Sequence, residues 1–213
     1  SITMGTESFY GLENYFRQEG FAYRFVPIKT PKPQSAMREF GSADVEKMYA
    51  NMVENFEWGG YEDTTLWMDE NNLRFVTNIR FTFSRLANEL IKKGDFERAE
   101  MALDRCVEVA VNSNTSFNPT MSPLIEAYYK IGQYEKGNDL AMKLLNREKE
   151  YLNYYFDQDD ENFKMVLPNV RNSISMVGQL SNMTKNLYPQ SGIGEEVTAV
   201  YEENIQLLQT MGR

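Results

Sequence analysis

From position 69 onward, hydrophobic residues recur every three to four positions, and the chain reads as a series of amphipathic helices. Asp69 opens a long helix in which Phe75, Ile79, Phe83, Leu86 and Leu90 form one apolar stripe. Gly94-Asp95 breaks it. A second helix is expected over 96–111, with Ala99, Leu103, Cys106 and Val107 turned inward. A polar loop over 112–120 leads to a helix at 121–131, a tight turn at Gly132-Gln133, and a helix from Tyr134 to about Tyr155. Two more helices are expected over 163–187 and 195–211. Pro189-Gln190-Ser191-Gly192-Ile193-Gly194 parts them.

Residues 1–40 are the least regular part. The spacing of Leu12, Tyr15 and Phe16 predicts a short helix over 10–16. Phe21 to Val26 alternates like a strand that Pro27 limits, and Ile2-Thr3-Met4 offers it a partner strand. Pro31 and Pro33 mark an extended connector. Ser42 is read as the N-cap of a helix carrying Val45, Met48, Tyr49, Met52 and Phe56, ended by Trp58-Gly59-Gly60. The organisation is therefore a small segment with short strands and a helix over 1–40, and a helical domain over 41–213. Within that domain a core spans about 69–155 and a C-terminal helix pair spans 163–211.

Two stretches repeat each other. Leu86 to Ala99 and Leu124 to Gly137 each run helix, glycine, one polar residue, an aromatic, two charged residues and a small residue. The two glycines, Gly94 and Gly132, lie 38 residues apart, near the tetratricopeptide period of about 34. Glycine can end a helix in the left-handed conformation. Phe96 and Tyr134 are placed to fill the space between paired helices, and Ala99 and Gly137 to let them approach. The pattern over 81–148 resembles the tetratricopeptide family, with Gly137 replacing the commoner Ala. The fold class expected is mainly α, built of tetratricopeptide-like antiparallel helix pairs (an α-α superhelix), with a small irregular α/β N-terminal segment.

Composition narrows the function. A net charge of −9 disfavours nucleic acid, whose binding depends on neutralising phosphates. No dense Lys/Arg tract points to an anionic membrane surface, and no apolar run approaches the roughly 18–20 residues that span a bilayer. The chain holds no histidine and a single cysteine, Cys106. Histidine bases, ligands and triads are thereby excluded, as is an intramolecular disulfide. The opening Ser1-Ile2-Thr3-Met4 lacks an initiator Met and is read as part of something longer.

A wider resemblance covers nearly the whole chain. It is carried by Tyr10-Gly11-Leu12-Glu13-Asn14-Tyr15-Phe16, Glu19 to Pro27, Phe56-Glu57-Trp58-Gly59-Gly60, Met68-Asp69-Glu70-Asn71-Asn72 and Asp104-Arg105-Cys106. These resemble the C-terminal region of large bacterial multi-pass membrane proteins related to protein O-mannosyltransferases. The resemblance implies a soluble tail on the extracytoplasmic (periplasmic) face, tethered through an upstream membrane region. It implies no catalytic residue here, because the family's catalytic acids lie in the membrane half.

Candidate sites follow from the helix pattern. The first helix of each pair would present Asn78, Phe81, Arg85, Asn88 and Lys92, beside Glu126, Tyr129 and Lys130, as a partner groove for a peptide carboxylate or acidic segment. The partner expected is a protein or peptide segment, or the membrane-embedded half of the parent chain. Trp58, Tyr61 and Trp67 flank a glycine-rich loop that either stacks on a ligand or pins to the core. Asp63-Thr64-Thr65 matches a short bacterial O-glycosylation acceptor pattern. The run Asp157 to Asn162 departs from a calcium-binding loop, since Asn162 stands where glycine is needed, and reads as a helix cap. Gly192-Ile193-Gly194 precedes two acids, which repel phosphate. No nucleophile elbow, carboxylate pair, cofactor motif or metal-ligand set stands out. The expected role is non-catalytic interaction or scaffolding. The alternative is a stand-alone helical-repeat protein or a glycan-binding module of a nutrient-uptake system.

Overall fold

The computed structural model describes residues 11–30, 41–61, 63, 65, 67–110 and 118–211. The expected strand Ile2-Thr3-Met4 and most of the 112–120 loop lie outside them. The chain divides into two compact units, 1–115 and 116–213, and is mainly helical, with a small three-stranded sheet near the N-terminus among the described residues.

The first unit opens with a three-residue 3-10 turn, Glu13–Tyr15, in place of the longer helix expected there. Phe16 already belongs to a strand. The sheet is β1 (Phe16–Gln18), β2 (Tyr23–Phe25) and β3 (Ser42–Ala43), in the order β2-β1-β3. β1 and β2 are antiparallel, Arg17 facing Arg24, and β1 and β3 are parallel. The strand at 23–25 thus finds its described partner in the residues just before it. Phe16 and Gln18 are buried and Arg17 is exposed, as strand alternation requires. Gly41 is fixed by contact: with φ at +61°, a Cβ there would sit 1.8 Å from the Phe16 carbonyl oxygen.

Ser42 is not a helix cap, because it pairs within β3. Asp44 takes that role for α1 (Val45–Tyr49), its carboxylate accepting from the Lys47 amide. A π-helical stretch, Ala50–Asn55, carries the turn onward. α2 (Glu70–Lys92) starts at Asp69, whose Oδ1 accepts from the Asn72 amide at 2.8 Å. Ile79, Phe83, Leu86 and Leu90 are fully buried along it. α3 (Phe96–Ala110) returns along α2, with Ala99, Leu103 and Cys106 fully buried. Phe96 does not fill the space between them. It is 52% exposed.

The second unit begins with a 3-10 turn, Pro119–Met121, capped by Asn118. α4 (Ser122–Lys130) and α5 (Tyr134–Phe156) form its first hairpin. α6 (Asp160–Ser181) packs on α5 and continues into a π-helical stretch, Asn182–Leu187. α7 (Gly194–Met211) packs back on α6.

The two predicted turns share one geometry. Gly94 (φ +77°) and Gly132 (φ +79°) are both left-handed. Asp95 donates its amide to the Leu90 carbonyl at 3.0 Å, and Gln133 to that of Tyr128 at 2.9 Å. Gly94 donates to Ile91 at 2.9 Å and Gly132 to Tyr129 at 3.0 Å. These are the paired bonds of a Schellman ending, which satisfy carbonyls a helix terminus otherwise leaves open.

Where the copies differ, packing explains it. A Cβ on Gly137 would lie 2.4 Å from Cε1 of Tyr129, so the second hairpin exchanges the Ala of the first for a large ring. Gly178 and Tyr201 repeat the arrangement between α6 and α7, at 2.7 Å. Gly137→Ala is expected to cost about 1–3 kcal/mol, the usual penalty for overpacking. Urea unfolding checks this. In a Tyr129→Ala background the same substitution should cost markedly less, since the atoms it meets are gone.

Candidate functional site

The expected groove residues separate by role. On α2, Asn78, Phe81 and Lys92 are exposed, and Asn88 is partly buried. Asn88 Nδ2 donates to the Ser84 carbonyl at 2.8 Å, and Lys92 pairs with Glu89 at 2.6 Å. Arg85 is only 6% exposed. Its Nη1 donates to Gln18 Oε1 at 2.8 Å and its Nη2 to the Gly41 carbonyl at 3.0 Å. Its guanidinium is an interior tie between α2 and the sheet, not a donor on an open face. The reason is electrostatic: these acceptors are buried and need a donor.

Glu126, Tyr129 and Lys130 lie on α4, in the other unit. Glu126 and Lys130 form an ion pair at 3.0 Å. Tyr129 is 2% exposed, so it too leaves the expected groove. Its hydroxyl donates to Asn138 Oδ1 at 2.9 Å, its ring packs against Tyr134 and Tyr188, and burial pushes its phenol up to about 12.

The remaining motifs resolve locally. Trp58 is buried, with its ring 5.4 Å from Phe83 and 5.9 Å from Phe21, so it pins the loop to the core. Tyr61 packs on Phe75, while Trp67 is exposed. Asp63 accepts from the Thr65 amide and hydroxyl in a local turn. Asp159 caps α6, accepting from the Glu161 and Asn162 amides. Cys106 is buried, and desolvation pushes its thiol up to about 12, which makes it unreactive. Among the described residues no group of three or more His, Cys, Asp or Glu could hold a metal.

A cleft of about 300 Å³ in the second unit lies between α5 and α6, with Asn118 and Pro119 at one end. This is at the lower end of the size range of ligand pockets. α5 contributes Arg147, Glu148, Tyr151 and Tyr155, and α6 contributes Asn169, Asn172, Ser173 and Met176. The α5 apolar stripe of Leu140, Ala141, Leu144, Leu145 and Leu152 places position 148 on the inward face, and a glutamate stands there. Glu148 is 6% exposed. Burial raises its carboxyl above the ordinary value, against the opposing pull of a Ser173 hydrogen bond and the Arg147 charge. The Arg147 guanidinium lies 4.9 Å from the Tyr151 ring centre and donates to the Tyr151 hydroxyl, while its Nε is buried without a partner among the described residues. Tyr151 and Tyr155 stack one turn apart, ring centres 6.1 Å from each other. Asn169 and Asn172 are exposed on α6.

Sequence reasoning passed over these residues. The signal was there: an acid within an aliphatic stripe, followed by Tyr151, Tyr154 and Tyr155. Chemically, the cleft offers acceptors, amide donors and aromatic surface around one buried carboxyl group. No family model, curated protein or solved structure matches the chain.

Two expectations follow. Arg85→Ala should destabilise the chain by roughly 2–4 kcal/mol, because it leaves buried acceptors unpaired, whereas Lys92→Glu should stay within about 0.5 kcal/mol. Denaturant titration of both variants decides whether Arg85 is structural. Glu148 is held protonated in the fold more readily than in the unfolded chain. Its contribution is therefore most favourable at low pH and is lost as pH rises from the unfolded carboxyl value through the raised one. Compared with Glu148→Gln, the natural chain should lose stability as pH rises above the ordinary carboxylate range. A pH-independent difference between the two would contradict the buried acid.

Proposed function

We propose that the chain is a non-catalytic helical-repeat binding module, the extracytoplasmic tail of a membrane protein related to protein O-mannosyltransferases. The observation that carries the binding role is the α5/α6 cleft, where tyrosine, asparagine and serine side chains surround a single buried carboxylate. Carboxylate hydrolysis of glycosides usually uses two acids about 5–10 Å apart, one as proton donor and one as base or nucleophile. Among the described residues one carboxylate lines this cleft, which suits holding a ligand.

The tail assignment rests on the sequence resemblance. It is compatible with the helices, none of which among the described residues is long and apolar enough to cross a membrane. In this reading the domain recruits a protein or peptide segment, or steadies the membrane half of its own chain. The cleft equally favours the second reading, a free-standing glycan-binding module, because its groups suit that ligand.

An antibody to this domain separates the two. In fractionated source cells, a large band that needs detergent for release is expected. A soluble band near 24.8 kDa would contradict the tail and leave the free-standing module.

A further inference from the structure

We propose that the α5/α6 cleft binds a neutral sugar ring. This rests on reading the chain as a binding module and names its ligand class; it does not depend on the membrane tail.

Charge decides the first step. A cation would meet the like charge of Arg147, which lines the cleft. An anion would meet Glu148, which lies in the same cleft at 6% exposure. Arg147 and Glu148 are sequence neighbours of opposite sign, so the cleft as a whole favours a ligand without net charge.

Hydrogen-bonding chemistry decides the second step. Glu148 and Ser173 sit buried at the cleft wall, hydrogen-bonded to each other, and each keeps lone pairs able to accept from a ligand hydroxyl. Arg147 Nε is a buried donor with no partner among the described residues, and such a donor is costly while it stays unpaired. Asn172 adds an exposed amide, donor and acceptor at once. Tyr151 supplies aromatic surface at the rim. A pyranose ring carries hydroxyls, each both donor and acceptor, around an edge and C–H bonds on its faces. It matches this set in one compact body. A peptide backbone presents one donor and one acceptor per residue and needs a longer groove than about 300 Å³ provides.

The test is saturation-transfer NMR on the full chain. The probes are the methyl glycosides of glucose, mannose, galactose and N-acetylglucosamine, with glucuronate, glucosamine and the peptide Ala-Thr-Ala as comparators. At least one neutral glycoside should receive saturation, more strongly than either charged sugar. The signal should fall about fivefold or more in Tyr151→Ala and in Asn172→Ala, with unfolding midpoints showing that both variants fold. Transfer only to the peptide, or only to a charged sugar, overturns the ligand class and leaves the binding module. Glycoside transfer unchanged by both variants overturns the assignment to this cleft. No transfer to any probe overturns the binding role of the cleft altogether.

Discussion

A helix can fold back on itself within two or three residues only if its last carbonyls find donors as the chain reverses. A left-handed glycine meets that constraint, since it turns the chain without a Cβ penalty and directs two amides back at the open end. Gly94 and Gly132 do this with matching bonds. Everything after each turn follows from the reversal. α3 is laid along α2 and α5 along α4, and the small residue five places beyond each glycine, Ala99 or Gly137, comes to the contact line. The larger ring of Tyr129 then fills the room that Gly137 leaves. α5, at 23 residues, runs far beyond the nine of α4, and its free length packs on α6. The cleft lies along that extension.

Polar groups in the interior divide between tying and opening. Arg80, 1% exposed, donates from Nε to the Ala110 carbonyl at 2.9 Å and so closes the end of α3. Arg85 reaches from α2 to Gln18 and Gly41 and fixes the sheet. Arg85 uses the guanidinium as a two-donor fork for an amide and a backbone oxygen, a role lysine fills poorly. Glu148 is the contrasting case. It is buried beside a cleft, and burial raises its carboxyl above the ordinary value.

The helices, both glycine turns and the caps at Asp69 and Asp159 were legible because each is a local signal. The sheet was legible only in part. β1 is three residues long, too short for periodicity to distinguish from the helix that Leu12, Tyr15 and Phe16 suggested, and its parallel partner β3 is distant in sequence. Arg85 was misassigned for the same reason: its partner Gln18 is 67 residues away, and helical spacing alone places it at the margin of the apolar stripe. Tyr129 fell to the neighbouring Gly137, whose missing side chain made room for it. The cleft needed the α5–α6 packing before Glu148 could be told from an ordinary solvated acid.

Two hairpins closed by one kind of turn organise the helices. Residue-resolved amide exchange tests that most directly. Asp95 and Gln133 each donate to a carbonyl five residues back, and both amides should be protected well above the free-peptide rate, to a similar degree. Exchange of either amide at the free-peptide rate would contradict the shared turn, and with it the repeat on which the second unit and its cleft are built.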